Sequence, residues 1–160
     1  MRGDDVRKIL NIVESGDILL RRFDQYLNTM FTPGFWGHAG VYVGENQVVH
    51  SVSAGCIEED VLNFCRADAV CVLKVIRRAG VPAAIERAKA IAEMGVPYDY
   101  DFAGDNRTYY CTELVDTVFN GLFYDDYIKK LGNYILMPDG IYKSDKAKLK
   151  LQINYRETKS

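Results

Sequence analysis

Along the chain the spacing of apolar residues switches between helical and alternating, and each switch marks an element. Asp4 to Val13 predicts a short amphipathic helix ending near Ser15-Gly16, and Asp17 to Arg21 a strand. Phe23, Tyr26, Leu27 and Met30 recur at helical spacing, before a breaker-rich loop from Thr32 to Gly37. Val41-Tyr42-Val43 and Val48-Val49 flank Gly44-Glu45-Asn46 and predict a β-hairpin. Gly55 to Asp60 then returns the chain, and Val61 to Cys65 reads as a short helix or turn. The nearly continuous apolar run from Val70 to Arg77 predicts a central strand. Pro82 opens a helix that runs to Gly95. An aromatic and acidic loop follows at 96–102. Leu114, Val115, Val118, Phe119 and Leu122 then mark one face of a helix that begins at Cys111. Tyr124, Tyr127, Ile128 and Leu131 have helical spacing, and Leu149, Leu151, Ile153 and Tyr155 alternate as in an edge strand.

Together these elements predict an α+β fold: a small, mostly antiparallel sheet or partial barrel with helices on one side, the N-terminus of the Cys111 helix meeting the His38 strand. A length of 160 residues fits a single domain over 1–160.

Composition removes several function classes. The chain is 48% apolar and 26% charged with a formal net charge of −2, so it lacks the basic excess of a nucleic-acid binder. No apolar stretch approaches the ~20 residues of a membrane span, and no signal-peptide core follows the charged N-terminus. The chain as it stands therefore reads as cytoplasmic, with the basic runs at Arg21-Arg22, Arg77-Arg78 and Lys146 to Lys150 leaving peripheral membrane contact open. Its four cysteines, at 56, 65, 71 and 111, form no C-x-x-C pair and read as thiols in a reducing compartment.

Candidate chemistry centres on Cys111. In a helix its thiol shares a face with Leu114 and Val115, and in the first turn the helix dipole and unpaired N–H groups favour the thiolate and lower the pKa. A free cysteine is also commonly a small buried hydrophobe, so the thiol alone does not define a site. The chain has only two histidines, His38 and His50, and both fall in the hairpin. A three-residue turn, Gly44 to Asn46, would set Gly40 opposite His50 and place His38 diagonally from it on the same face, with Gly40 leaving room between them. A two-residue turn would put the histidines on opposite faces. Zinc accepts two histidines and a cysteine, but no H-E-x-x-H or C-x-x-C spacing accompanies them. No metal and no cofactor is expected. The set fits a nucleophile, a base and an orienting group. Around it, Tyr110 would add an oxyanion donor beside the Cys111 N–H. Tyr98 would shape the pocket, or belong to a packed loop. Trp36 is either core or pocket wall. Asp17 either lines the site or caps a turn.

Five short runs appear in order: Gly16-Asp17-Ile18-Leu19-Leu20; His38-Ala39-Gly40-Val41-Tyr42-Val43-Gly44; Val48-Val49-His50-Ser51; Gly95-Val96-Pro97-Tyr98-Asp99; and Tyr110-Cys111-Thr112-Glu113-Leu114-Val115. With a closing segment at Met137-Pro138-Asp139-Gly140, this series resembles the circularly permuted branch of the NlpC/P60 superfamily, in particular the YaeF/YiiX-type papain-like proteins. It is also similar to the lecithin:retinol acyltransferase relatives, which share the His-then-Cys order. The resemblance implies a permuted papain-like core with Cys111 as nucleophile, His38 as general base and His50 as the polar group that orients it. Many YaeF/YiiX-type members have glutamate at that third place; the acyltransferase relatives have histidine.

The expected function is accordingly a cysteine hydrolase, an amidase or peptidase working through a covalent acyl-enzyme on a small peptide or amide. The alternatives are a lipid acyltransferase or thioesterase acting on an acyl-lipid, and a non-catalytic binding module on the same fold.

Overall fold

The computed structural model describes residues 1–24, 34–105, 107–130 and 132–155. In chain order the elements are α1 (Gly3–Ile12), β1 (Ile18–Arg22), β2 (His38–Gly44), β3 (Gln47–Val52), β4 (Gly55–Asp60), α2 (Val61–Phe64), β5 (Ala69–Val75), α3 (Val81–Met94), α4 (Cys111–Val118), β6 (Ile128–Lys130), β7 (Asn133–Ile135), α5 (Pro138–Lys143) and β8 (Ala147–Asn154). Six strands make one antiparallel sheet in the order β4-β3-β2-β1-β5-β8, and β6 and β7 form a separate small hairpin.

The antiparallel sheet packed against helices is as expected, but the cover lies on both faces. β1, β2 and β5 are apolar at consecutive positions, so both faces must leave water. On one face Ile18, Leu20, Val41, Val49, Cys71 and Leu73 meet Leu114, Val115 and Val118 of α4 and Ala88 and Ile91 of α3. On the other, Leu19, Val48, Val70 and Val72 meet Ile9 of α1 and Val61 and Phe64 of α2.

Local signals account for most element ends. Pro82 stands in the first turn of α3, and Gly95 closes that helix in the left-handed conformation at φ 60°. The segment with helical spacing at 124–131 is different: its described part is a short 3₁₀ turn at Tyr124–Asp126 running into β6. Asp125 and Asp126 favour a turn there, and pairing with β7 takes up the backbone groups that a helix would have used. The helical spacing over 23–31 falls largely outside the described residues.

The β2–β3 connection sets the geometry of the site. Glu45 and Asn46 both adopt left-handed φ, 51° and 61°, as a tight two-residue turn requires, and Gly44 pairs with Gln47. That turn is shorter than the three-residue one expected. A bulge between Tyr42 and Gly44 absorbs one residue, so Val41 still pairs with Val49. The register expected of the longer turn is thereby reached, and the two histidines share a face.

Candidate active site

α4 begins at Cys111 behind an extended Tyr110 whose N–H donates to Glu113 Oε2 at 3.3 Å. The thiol is held by bonds on either side of it. Ser51 Oγ donates to the Tyr109 carbonyl at 2.5 Å, and Thr112 Oγ1 donates to the Leu136 carbonyl at 2.6 Å. Cys111 is 9% exposed. Burial pushes its thiol pKa up, against backbone N–H groups of Ala39, Thr112 and Cys111 itself at the sulfur and the charge of Arg21. The helix N-terminus was expected to win and lower the pKa; desolvation is the larger effect here, so the resting group is a thiol.

Ala39 brings β2 to that sulfur, and its neighbour His38 is the first residue of the strand, half-buried and paired across the sheet with Arg21. His38 Nε2 stands 2.8 Å from His50 Nδ1, with the rings edge-to-face at 5.1 Å and both resting on Phe64. Gly40 makes this contact possible, because a Cβ there would lie 3.2 Å from that of His50 and 2.7 Å from Val48 Cγ1. His50 is 1% exposed; burial first and the Arg21 charge second hold its pKa down to about 3. His38 is also held well below its ordinary value, by burial, Arg21 and His50. Both imidazoles are neutral at pH 7.

Sequence reasoning missed Glu59. Its Oε2 lies 3.0 Å from His50 Nε2, and Arg21 Nη1 lies 3.9 Å from the same oxygen. The signal was present: β4 pairs with β3 so that Val48 faces Glu59 and His50 faces Ile57, which puts Glu59 on the histidine face. From sequence, Gly55 to Asp60 read only as a return segment, with no role for any of its carboxylates.

Of the four surrounding candidates, Tyr98 and Tyr110 both lie close enough to the thiol to feel its charge, and Tyr98 feels it more. Tyr98 bridges to Tyr109, and its phenol pKa is raised by burial first and by Cys111 next. Tyr110 is corrected: its hydroxyl is hydrogen-bonded to the Leu136 N–H at 3.2 Å and to Tyr127, and its ring packs on Phe102, so it serves the wall behind the helix. Trp36 is core, 2% exposed against Tyr142, with its backbone N–H donating to Asp139 at 2.8 Å. Asp17 is fully buried at the far end of β1 from Arg21. It caps the Glu14 N–H and pairs with Lys150 at 2.7 Å and Arg78 at 3.3 Å, a structural post.

A cavity of about 670 Å³ is lined by Glu113, Asp116, Thr117, Tyr124, Tyr127 and Tyr134. At 100° per residue these α4 positions lie roughly 140–240° around the helix from Cys111, so the cavity opens on the flank away from the sulfur. Burial raises the Glu113 carboxyl there to about 7, helped by Asp99, Asp105 and Asp116. All four cysteines are free and buried. Among the described residues no three His, Cys, Asp or Glu side chains converge as a metal site, and no helix is long and apolar enough to cross a membrane.

A thiol held at the end of a strand that begins with a paired imidazole can form and break acyl thioesters. Residues 12–159 match the family described as permuted papain-like amidase enzyme, YaeF/YiiX, C92 family. No protein with a curated description gave a significant match.

Proposed function

Because this chain belongs to the permuted papain-like amidases of the YaeF/YiiX type, a family of cysteine hydrolases, we propose that it cleaves amide bonds with Cys111 as nucleophile, His38 as general base and His50 as the group that orients His38. One observation carries the assignment: the His38–His50 contact of 2.8 Å stands on the strand whose next residue, Ala39, meets the Cys111 sulfur.

His38 Nε2 is engaged by His50, which leaves Nδ1 to take the thiol proton as sulfur attacks the carbonyl carbon. The resulting imidazolium donates its Nε2 proton to His50 Nδ1, and the Cys111 N–H, in the first helical turn, receives the developing oxyanion. Collapse breaks the C–N bond. The amine departs with the proton from Nδ1 and leaves a thioester on Cys111. Water, deprotonated by the same nitrogen, then releases the acid and restores the thiol.

Because thiol and imidazole are both neutral at rest, proton transfer accompanies attack. A small peptide amide is the substrate we favour. Intact-protein mass spectrometry on mixing with peptide amides and activated peptide esters tests this: an acyl adduct should map to Cys111 and vanish in Cys111→Ala. His38→Ala should not accumulate it. Acylation only by a long-chain phospholipid would overturn the peptide assignment; an adduct unaffected by His38→Ala would overturn the base.

A further inference from the structure

The pairing of His38 with His50 leaves one question of proton order, because either ring can donate across 2.8 Å. The two arrangements are not equivalent for catalysis. If His50 donates, His38 must carry its remaining proton on Nδ1, the nitrogen proposed above to take the thiol proton, and cannot act as a base. If His38 donates, its Nδ1 is bare.

Side-chain position decides between them. Carried along the β2–β3 register, His38 falls opposite Val52; His50 lies two residues back along β3, and Glu59 sits opposite Val48, two further. His38, His50 and Glu59 therefore form a straight diagonal across three adjacent strands. The outer end of the line is a carboxylate, 3.0 Å from His50 Nε2. An ionised carboxylate only accepts, whereas a neutral imidazole nitrogen donates or accepts according to tautomer. His50 is 1% exposed, so water does not readily replace a lost partner. With its proton on Nδ1, His50 would turn a lone pair toward the Glu59 oxygens. With its proton on Nε2 it sets that proton's positive charge beside them.

The contact between His50 Nε2 and Glu59 Oε2 is close but not aligned along the ring N–H direction, so its effect is electrostatic bias at short range. Arg21 takes part twice. It stands opposite His38 in the sheet, where its charge disfavours imidazolium, and its guanidinium lies 3.9 Å from the same Glu59 oxygen, fixing the carboxylate beside His50.

We infer that Glu59 is a positioning residue that sets the tautomers of both imidazoles, holding the proton of His50 on Nε2 so that His38 presents an unprotonated Nδ1 to Cys111. The inference rests on the Cys111–His38 reading above and extends it by one residue outward. Glu59 does not touch the reacting atoms.

The protein has two histidines, so long-range proton–nitrogen NMR of the histidine-labelled chain contains two ring systems. At pH 7.5 both rings should show the Nε2–H tautomer. In Glu59→Gln, whose amide can donate as well as accept, the His50 signals should move toward a mixture of tautomers, and Cys111 alkylation by iodoacetamide should slow by about 10-fold or more. Glu59→Asp should restore the parent tautomers and part of the rate. Finding His50 as the Nδ1–H tautomer in the parent overturns the inference without any variant. So does Glu59→Gln with unchanged tautomers and an unchanged rate while His38→Ala is slow. If His38→Ala alkylates like the parent, the base assignment fails instead, and the parent spectrum still decides the role of Glu59.

Discussion

Gly40 is the position where a single methyl group tests the arrangement of the site. Its φ is not in the left-handed region, so alanine meets no conformational penalty there. In a strand, alanine in place of glycine even recovers about 0.5–1 kcal/mol of chain entropy. The cost is steric: the new Cβ would lie 2.7 Å from Val48 Cγ1, 3.0 Å from Phe64 Cε2 and 3.2 Å from His50 Cβ. All three neighbours are fully or almost fully buried, and overpacking of this kind costs about 1–3 kcal/mol. The net for Gly40→Ala is then a loss of up to about 2.5 kcal/mol, or up to about 10 °C in Tm for a chain of this size. The displacement falls on His50 and on the ring that supports both histidines, so the 2.8 Å contact opens. Acylation should drop by more than the stability change implies, about 10-fold or more, because misplacement of a catalytic group costs rate steeply. Urea and thermal unfolding measure the first effect, and single-turnover acylation at saturating substrate measures the second. A Gly40→Ala protein as stable as the parent and acylating at the parental rate would refute the reasoning.

Two further outcomes concern pH. Folding depresses the His50 pKa from 6.5 to about 3 and lowers that of His38 as well, so the native state binds fewer protons than the unfolded chain. Stability should be complete above about pH 6.5 and fall as pH drops toward 3, by up to about 1.4 kcal/mol per unit for each ring; urea midpoints flat between pH 7.5 and 4.5 would contradict this. Glu113 has the opposite sign: its carboxyl is raised from 4.5 to about 7, so the native state holds a proton that the unfolded chain releases, and stability is lost as pH rises between those values. Glu113→Gln keeps an oxygen for the Tyr110 N–H and should stabilise the protein by about 1–3 kcal/mol at pH 8 with little effect at pH 4, read from the same unfolding curves.

The hairpin and the Cys111 helix were legible because their signals are local: two apolar runs around a Gly-Glu-Asn turn, and an i, i+3, i+4 apolar face. The histidine register came out right through a device the pattern does not show, a bulge that offsets a shorter turn. The thiol pKa was misjudged because a helix start is visible in sequence whereas the depth of its burial is not. Glu59 was passed over for the same reason. An acidic triplet gives no sign of which carboxylate a neighbouring strand will turn toward a buried ring. The Tyr110 hydroxyl is taken up by the Leu136 N–H just after β7, a partner the sequence pattern did not point to.

Strand order has a bearing on how the enzyme comes to life during folding. β1 to β4 are neighbours in the sheet in the same sequence as in the chain, so the strands that carry His38, His50 and Glu59, the proposed base and the groups proposed to orient it, close through short loops between β2 and β4. Such contacts carry small closure entropies and form early. Cys111, the proposed nucleophile, arrives on α4, after β5 and α3 have been laid down, and is buried only when α4 docks on β2. On the proposed roles, a ribosome-bound or partly folded chain would thus hold an assembled histidine pair and no docked thiol, and the power to acylate would appear last, as a report that the whole sheet has closed.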